Sequence, residues 1–226
     1  MWSLSRFVVC EYGKLKQLPT FLERMPFASR QSYPITKLYQ VSSGEENLNA
    51  FFSAGDQAIG KAYGQFVAKS IQNACVALDL ACGLGRHALW LASRNWRVSG
   101  VDLSDVAIGK LSQASFELNV NLDLFVGDAA EYKFEPTRFD LIVLFYHLDR
   151  SLFLKIVSAL KPSGLLICKM SLEWDSDGHS ATVSPNPLDR NELPSLVPEL
   201  HVLYQEERPV RGRGVVEFVG RKLGVP

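Results

Sequence analysis

The stretch Leu78-Asp79-Leu80-Ala81-Cys82-Gly83-Leu84-Gly85-Arg86-His87-Ala88-Leu89-Trp90-Leu91-Ala92 passes from a short apolar run through two glycines into residues of helical spacing. An apolar run that stops at glycine and resumes as a helix is the sequence form of a buried parallel strand, its turn and its crossover helix. Such a junction commits the chain to a layered architecture, because parallel strands can be joined only by long crossovers.

The same alternation continues downstream. Buried-type strands are predicted at Cys75 to Leu80, Arg97 to Val101, Leu122 to Val126, Phe139 to Phe145 and Leu165 to Lys169. Helices are predicted between them at Arg86 to Arg94, Asp105 to Leu118 and Ser151 to Leu160, with a brief helix or loop around Ala129 to Phe134. The third helix ends in Lys161-Pro162-Ser163-Gly164, a stop signal leading straight into the next strand. After a polar loop from Ser171 to Pro187 come a short helix near Arg190 to Leu196 and two alternating strands, Leu200 to Glu206 and Val215 to Val219. The Arg211-Gly212-Arg213-Gly214 link between those strands reads as a hairpin turn. The expected fold is α/β and Rossmann-like: a mostly parallel seven-stranded sheet, helices on both faces, an antiparallel C-terminal edge hairpin and one reversed edge strand.

Upstream of this pattern, Ser43 followed by Glu46 ahead of Leu48, Phe51 and Phe52 is a capping-box signature. It opens a helical segment expected over 43–73, loosened by Gly55, Gly60 and Gly64. Residues 1–42, with Pro19, Pro26 and Pro34, are expected to be an irregular arm with one short helix at most, and 43–226 the functional domain. The 226 residues suffice for one sizeable core.

Lys and Arg together number 24, as do Asp and Glu, so no overall basic field gathers nucleic acid or anionic lipid. No apolar run reaches the roughly 18 residues of a membrane span. Cys10, Cys75, Cys82 and Cys168 show no metal or disulfide spacing and are expected as free thiols. The expected location is cytoplasmic; the cationic arm, with six Lys or Arg against Glu11 and Glu23, raises a weak organellar presequence as the alternative. Glu173-Trp174-Asp175-Ser176-Asp177-Gly178 imitates the start of a calcium loop, but Ser184 stands where the closing Glu is needed, so no metal is expected.

In an open parallel sheet, ligands bind beyond the carboxyl ends of the strands. Gly83 and Gly85 lie at such an end, where a missing Cβ admits a ligand and helix N–H groups face negative charge. Asp102, closing Gly100-Val101-Asp102-Leu103, can accept from both hydroxyls of a ribose. Gly83-Leu84-Gly85-Arg86-His87-Ala88 also fits the dinucleotide form G-x-G-x-x-A. Asp79 bears on the choice, since its carboxylate opposes a pyrophosphate yet favours the ammonium of S-adenosylmethionine, which carries no phosphate. The alternative role for Asp79 is to order the turn through backbone N–H groups.

At these residues the sequence resembles the class I S-adenosylmethionine-dependent methyltransferases. The resemblance runs through Leu78 to Gly85, Val101-Asp102-Leu103-Ser104, Val126-Gly127-Asp128-Ala129, Phe139-Asp140-Leu141-Ile142-Val143 and Leu160 to Leu166, in family order. Ala81 to Ala88, and less closely Asn186 to Leu193, resemble the tellurite-resistance and thiopurine-type small-molecule branch. The resemblance implies S-adenosyl-L-methionine as cofactor, its methionine portion on Gly83 and Gly85, its ribose on Asp102 and one adenine face on Leu103. Asp128 would accept the adenine amine, with the Ala129 backbone facing the ring; helix capping is the other role open to Asp128. Ala81, Arg86 and Phe145 complete the candidate cofactor set, Arg86 facing either the methionine carboxylate or solvent.

The reacting methyl is expected over the end of the fourth strand, near Phe145-Tyr146-His147-Leu148-Asp149-Arg150. Tyr146 and His147 are the candidate substrate-positioning residues, His147 doubling as a base because an unperturbed imidazole titrates near about 6.5. Asp149 and Arg150 read as a helix cap and its surface neighbour. No Asn or Asp followed by Pro-Pro and an aromatic occurs, which disfavours amino-methylation of bases or glutamine. A small-molecule acceptor is the expectation, with no nucleic-acid partner, no membrane and an oligomeric state left open. Methylation of a protein or RNA, a nicotinamide-dependent oxidoreductase and a non-catalytic cofactor-binding module are the rivals.

Overall fold

The computed structural model describes residues 8–11, 14–17, 75–173, 175–176, 179–180, 187–210 and 213–224, with backbone alone at 8–17 and 175–180. The chain divides into two units, Met1–Gly64 and Gln65–Pro226. In the first, β1 (Val8–Glu11) and β2 (Lys14–Gln17) pair antiparallel, Glu11 facing Lys14 across a two-residue turn. A paired strand was not expected in the arm; β-branched Val8 and Val9 favour the extended backbone of β1. The helical segment expected over 43–73 lies outside the described residues.

The second unit contains β3 (Val76–Leu80), α1 (Arg86–Ala92), β4 (Arg97–Asp102), α2 (Asp105–Glu117) and β5 (Leu122–Val126). It continues with β6 (Phe139–Phe145), α3 (Leu152–Ala159), β7 (Leu160–Leu172), a two-rung hairpin of β8 (Asp175–Ser176) and β9 (His179–Ser180), α4 (Glu192–Leu196), β10 (Leu200–Val210) and β11 (Arg213–Lys222). Seven strands form one sheet in the order β10-β11-β7-β6-β3-β4-β5. Strands β7, β6, β3, β4 and β5 are mutually parallel, while β11 runs antiparallel to both β7 and β10. The C-terminal hairpin therefore edges the sheet as expected, though its reversed strand β11 sits one place inside the edge.

Alternation along the strands divides the core. Leu78, Leu80, Ile142, Leu144, Leu166, Cys168, Val216 and Phe218 pack with Leu152, Phe153, Ile156 and Val157 of α3. The opposite face carries Ala77, Leu141, Val143 and Ile167, all buried, and α1 lies against β3 and β4. α1 is buried from His87 to Ala92, whereas α2 buries only Ile108, Leu111, Ala114 and Ser115, one stripe of an amphipathic helix. Ser104 caps α2 by accepting the Ala107 N–H at 3.2 Å.

β7 begins at Leu160 and runs to Leu172, well beyond the predicted Leu165 to Lys169. The Lys161 to Gly164 stop signal does end α3, but the same residues form a bulge inside β7, between the Phe139–Leu160 and Leu141–Leu165 pairs with β6. No helix among the described residues is long and apolar enough to cross a membrane.

Candidate functional site

The carboxyl ends of β3, β4 and β6 meet at one edge, and the loop after β3 is built to reach over it. Ala81, Gly83 and Gly85 all have positive φ, at 53°, 54° and 74°, so the chain coils tightly before entering α1. Gly83 donates its N–H to Asp102 Oδ2 at 2.7 Å, Gly85 donates to the Cys82 carbonyl at 2.9 Å, and Cys82 donates to the Val101 carbonyl at 2.9 Å. The loop is thereby tied to the end of β4.

The two glycines serve different ends. A Cβ on Gly85 would meet Leu111 Cδ1 at 2.1 Å, so that glycine makes room for α2. A Cβ on Gly83 would meet nothing within 4 Å, so the space above Gly83 is open to a ligand.

Asp102 Oδ1 accepts the Ser104 N–H at 2.9 Å while Oδ2 holds Gly83. A carboxylate offers about four lone-pair directions, so each oxygen keeps acceptor capacity toward the crevice. Leu103, beside it, is 74% exposed, an apolar face unusual for a Leu at a strand end. The Asp128 carboxylate is exposed and accepts the Ala130 N–H at 2.8 Å within a turn rather than at a helix start, leaving its other oxygen uncommitted. Ala129 is buried behind it, and the Gly127 N–H donates to the Asp102 carbonyl at 3.0 Å, which joins this loop to the first.

Asp79 does not face the crevice. It is 2% exposed and its Oδ2 accepts the Ala88 N–H at 3.1 Å, so it caps α1, whose own N-cap Gly85 has no side chain. Of the two roles open to Asp79, ordering the turn is the one this geometry realises. Burial pushes its carboxyl up to about 7, against the opposing pull of the Ala88 N–H and the Arg86 charge. His87 Nδ1 lies 3.8 Å from Asp79 Oδ1, and its ring meets Phe145 edge-on with centroids 4.5 Å apart. Burial, reinforced by the Arg86 charge, holds His87 well below the usual imidazole range. A neutral imidazole beside a carboxyl that titrates near neutral pH thus supports the loop from below. Arg86 Nη2 approaches His87 Nε2 at 3.4 Å.

Past β6, Tyr146 has φ 58°, an uncommon state for a bulky residue, and its N–H donates to the Lys169 carbonyl at 2.7 Å. The turn leaves its ring 59% exposed at the crevice. Burial of part of the ring and the charge of Glu217 raise the phenol above its ordinary value, so Tyr146 stays a neutral donor near pH 7. His147 is half-buried, and its Nε2 is enclosed with no hydrogen-bond partner. Asp149 accepts the Ser151 N–H at 2.9 Å in a turn ahead of α3; the N-cap position itself is Ser151, so Asp149 is not the helix cap expected of it. Arg150 is more than a surface neighbour: its guanidinium forks onto both oxygens of Glu192 and donates to the Pro187 carbonyl at 3.0 Å.

The sequence reading missed a set of charges beside this turn. Lys169 Nζ sits 5.9 Å from the Tyr146 ring centroid and 2.9 Å from Glu217 Oε1, which also accepts from Arg208 Nη2 at 2.9 Å. A single Lys inside Leu165 to Leu172 and a single Glu inside Val215 to Val219 were the available signals. A separate surface groove of about 300 Å³, lined by Val76, Arg97, Val98, Ser99, Asp123 and Arg138, lies at the amino ends of the strands, away from these loops.

The family model described as "Methyltransferase domain" matches residues 77–164, the span that contains both glycines, Asp102, Asp128 and Tyr146. Over residues 77–164 the chain is thus similar to a methyltransferase domain. No curated protein matches the chain by sequence. Among solved structures, TehB from Haemophilus influenzae is similar at 20% identity and TM-score 0.60, covering 70% of this chain and 62% of TehB. A SAM-dependent methyltransferase from Methanosarcina mazei is similar at 20% identity and TM-score 0.54, over 70% of this chain and 96% of that one. The [4+2]-cyclase SpnF is similar at 16% identity and TM-score 0.60, over 74% and 82%. These likenesses establish a Rossmann-like fold, and the cyclase among them means that fold alone does not select a reaction.

Proposed function

We propose that the chain transfers a methyl group from S-adenosylmethionine to a small-molecule acceptor held over the carboxyl end of β6. The observation that carries the reading is the pairing of Asp102 with Gly83: a carboxylate clamped by two N–H groups, with spare lone pairs, opening onto a glycine whose Cβ direction is unfilled. In this reading Asp102 takes the ribose hydroxyls, exposed Leu103 covers one face of adenine, and the free Asp128 oxygen accepts the adenine amine. Gly83 and Gly85, with Ala81, shape the seat of the methionine portion, Arg86 at the start of α1 faces its carboxylate, and Phe145 closes the floor against His87.

A dinucleotide fits this loop less well. The N–H groups of Gly83, Gly85 and Ala88 are already engaged by Asp102, the Cys82 carbonyl and Asp79, so donors that a pyrophosphate would need are committed. When bound, S-adenosylmethionine supplies an electrophilic methyl carbon, and the reaction asks the protein mainly for alignment. Such alignment supplies about 7 to 11 kcal/mol of barrier reduction. The exposed Tyr146 ring and hydroxyl orient the acceptor, and the neighbouring His147 is the candidate base where the acceptor carries a proton.

The test is S-adenosylhomocysteine formation by the purified chain with thiols, phenols, amines and metalloid oxyanions, in parallel with total cellular protein and RNA. The reading expects product with at least one small acceptor. Product only with protein or RNA, or with nothing in either set, overturns it.

A further inference from the structure

Across the sheet, register places Phe145 beside Lys169, Lys169 beside Glu217, and Glu217 beside Glu206, on four successive strands β6, β7, β11 and β10. In-register neighbours point to the same face, so these side chains form one row. Its first member ends β6, where Tyr146 turns into the crevice. Buried strands this central are ordinarily apolar, yet the Lys169 side chain is 3% exposed and that of Glu217 0%. Arg208 completes the set, with Nη2 on Glu217 Oε1 and Nε 3.5 Å from Glu206 Oε1, and the Tyr204 hydroxyl donates to the other oxygen of Glu206.

The two oxygens of Glu217 are treated unequally. Oε1 receives both the Lys169 and the Arg208 donors, whereas Oε2 is enclosed with no hydrogen-bond partner. A carboxylate that keeps one oxygen unsatisfied in a buried site is costly, and the vacancy is specifically one for a donor. Two cations hold this carboxylate fixed through Oε1, while Tyr146 stands over the same row with its ring exposed.

Resting on the methyltransferase reading above, we propose that Glu217 Oε2, held in place by Lys169 and Arg208, anchors the methyl acceptor by an N–H donor, and that the acceptors of this site are amines rather than carboxylates. The anchor is distinct from the atom that takes the methyl group. Tyr146 packs on the body of the acceptor, and Lys169 and Arg208 act as positioning residues through Glu217. An acceptor with a carboxylate against Oε2 meets the like charge of Glu217, while the Lys169 and Arg208 donors are engaged on Oε1.

The experiment is isothermal titration of the full chain saturated with S-adenosylhomocysteine, using phenethylamine, 2-phenylethanol and phenylacetate as probes of one scaffold. Wild-type protein is expected to bind phenethylamine at least about tenfold more tightly than phenylacetate, with the alcohol between them. Glu217→Gln, which keeps the side-chain volume, is expected to reduce that preference to about threefold or less without changing S-adenosylhomocysteine affinity. Equal or tighter binding of phenylacetate, no binding of any probe, or an unchanged preference in Glu217→Gln each overturns the proposal. The wild-type comparison stands even where the variant folds poorly. Wild-type protein that fails to bind S-adenosylhomocysteine overturns instead the cofactor reading on which the proposal rests.

Discussion

Two alanine substitutions two residues apart should fail in different ways. In Gly85→Ala the new Cβ must occupy a left-handed conformation at φ 74°, which costs an L-residue about 1 to 2 kcal/mol. It would also stand 2.1, 2.6 and 2.8 Å from Leu111 Cδ1, Cδ2 and Cγ. Leu111 is fully buried on α2 and cannot clear all three atoms by a rotamer change, so overpacking adds about 1 to 3 kcal/mol. The sum is about 2 to 5 kcal/mol. Gly83→Ala carries the conformational cost alone, about 1 to 2 kcal/mol, because its Cβ meets nothing within 4 Å. Urea unfolding of both variants measures these losses, and calorimetric titration with S-adenosylhomocysteine measures the other half of the contrast. Gly83→Ala should be the more stable protein and the poorer binder, since its methyl group enters the ligand's space. A Gly85→Ala protein within about 1 kcal/mol of wild type, or a Gly83→Ala protein with undiminished affinity at preserved stability, would refute the division of labour.

The buried pair beneath the loop predicts opposed pH effects. Asp79, raised to about 7, holds more protons folded than unfolded, so its contribution is full below about 4 and is lost as pH rises toward 7. His87, held well below its ordinary value, binds fewer protons folded than unfolded, so its contribution is present above about 6.5 and is lost as pH falls. The two slopes oppose each other between about pH 4 and 6.5; Asp79→Asn should therefore steepen the rise of stability with pH there, and His87→Gln should reverse it, in urea melts across that range. Lys169→Met, which strips one cation from buried Glu217, should cost about 3 kcal/mol, and adding Glu217→Leu should restore at least half, read from the same melts as a double-mutant cycle.

Much of the architecture was legible because local signals agreed with it. Strand β5 at Leu122–Val126 and β6 at Phe139–Phe145 match the sequence reading residue for residue, and the glycine turn at Gly83 to Gly85 lies where the strand and helix patterns meet. Asp102 was recognisable as a strand-terminal carboxylate, but its hold on the Gly83 and Ser104 N–H groups depends on how two loops fold together. The buried row was beyond reach for a related reason: Lys169 and Glu217 meet only through the β7 to β11 register, and a lone charge in an apolar run carries no record of its partner. The same holds for the fork of Arg150 on Glu192, which joins residues 42 apart. Asp79 showed a third limit, since its residue type fits both a ligand contact and a helix cap, and only burial distinguishes them.

Calorimetric titration of the wild-type chain and Asp102→Ala with S-adenosylhomocysteine and with NADH tests the cofactor crevice most directly. The account predicts a 1:1 complex with S-adenosylhomocysteine, no NADH binding, and at least about a tenfold loss of affinity in a folded Asp102→Ala protein. NADH bound in preference, or Asp102→Ala retaining wild-type affinity, would contradict it.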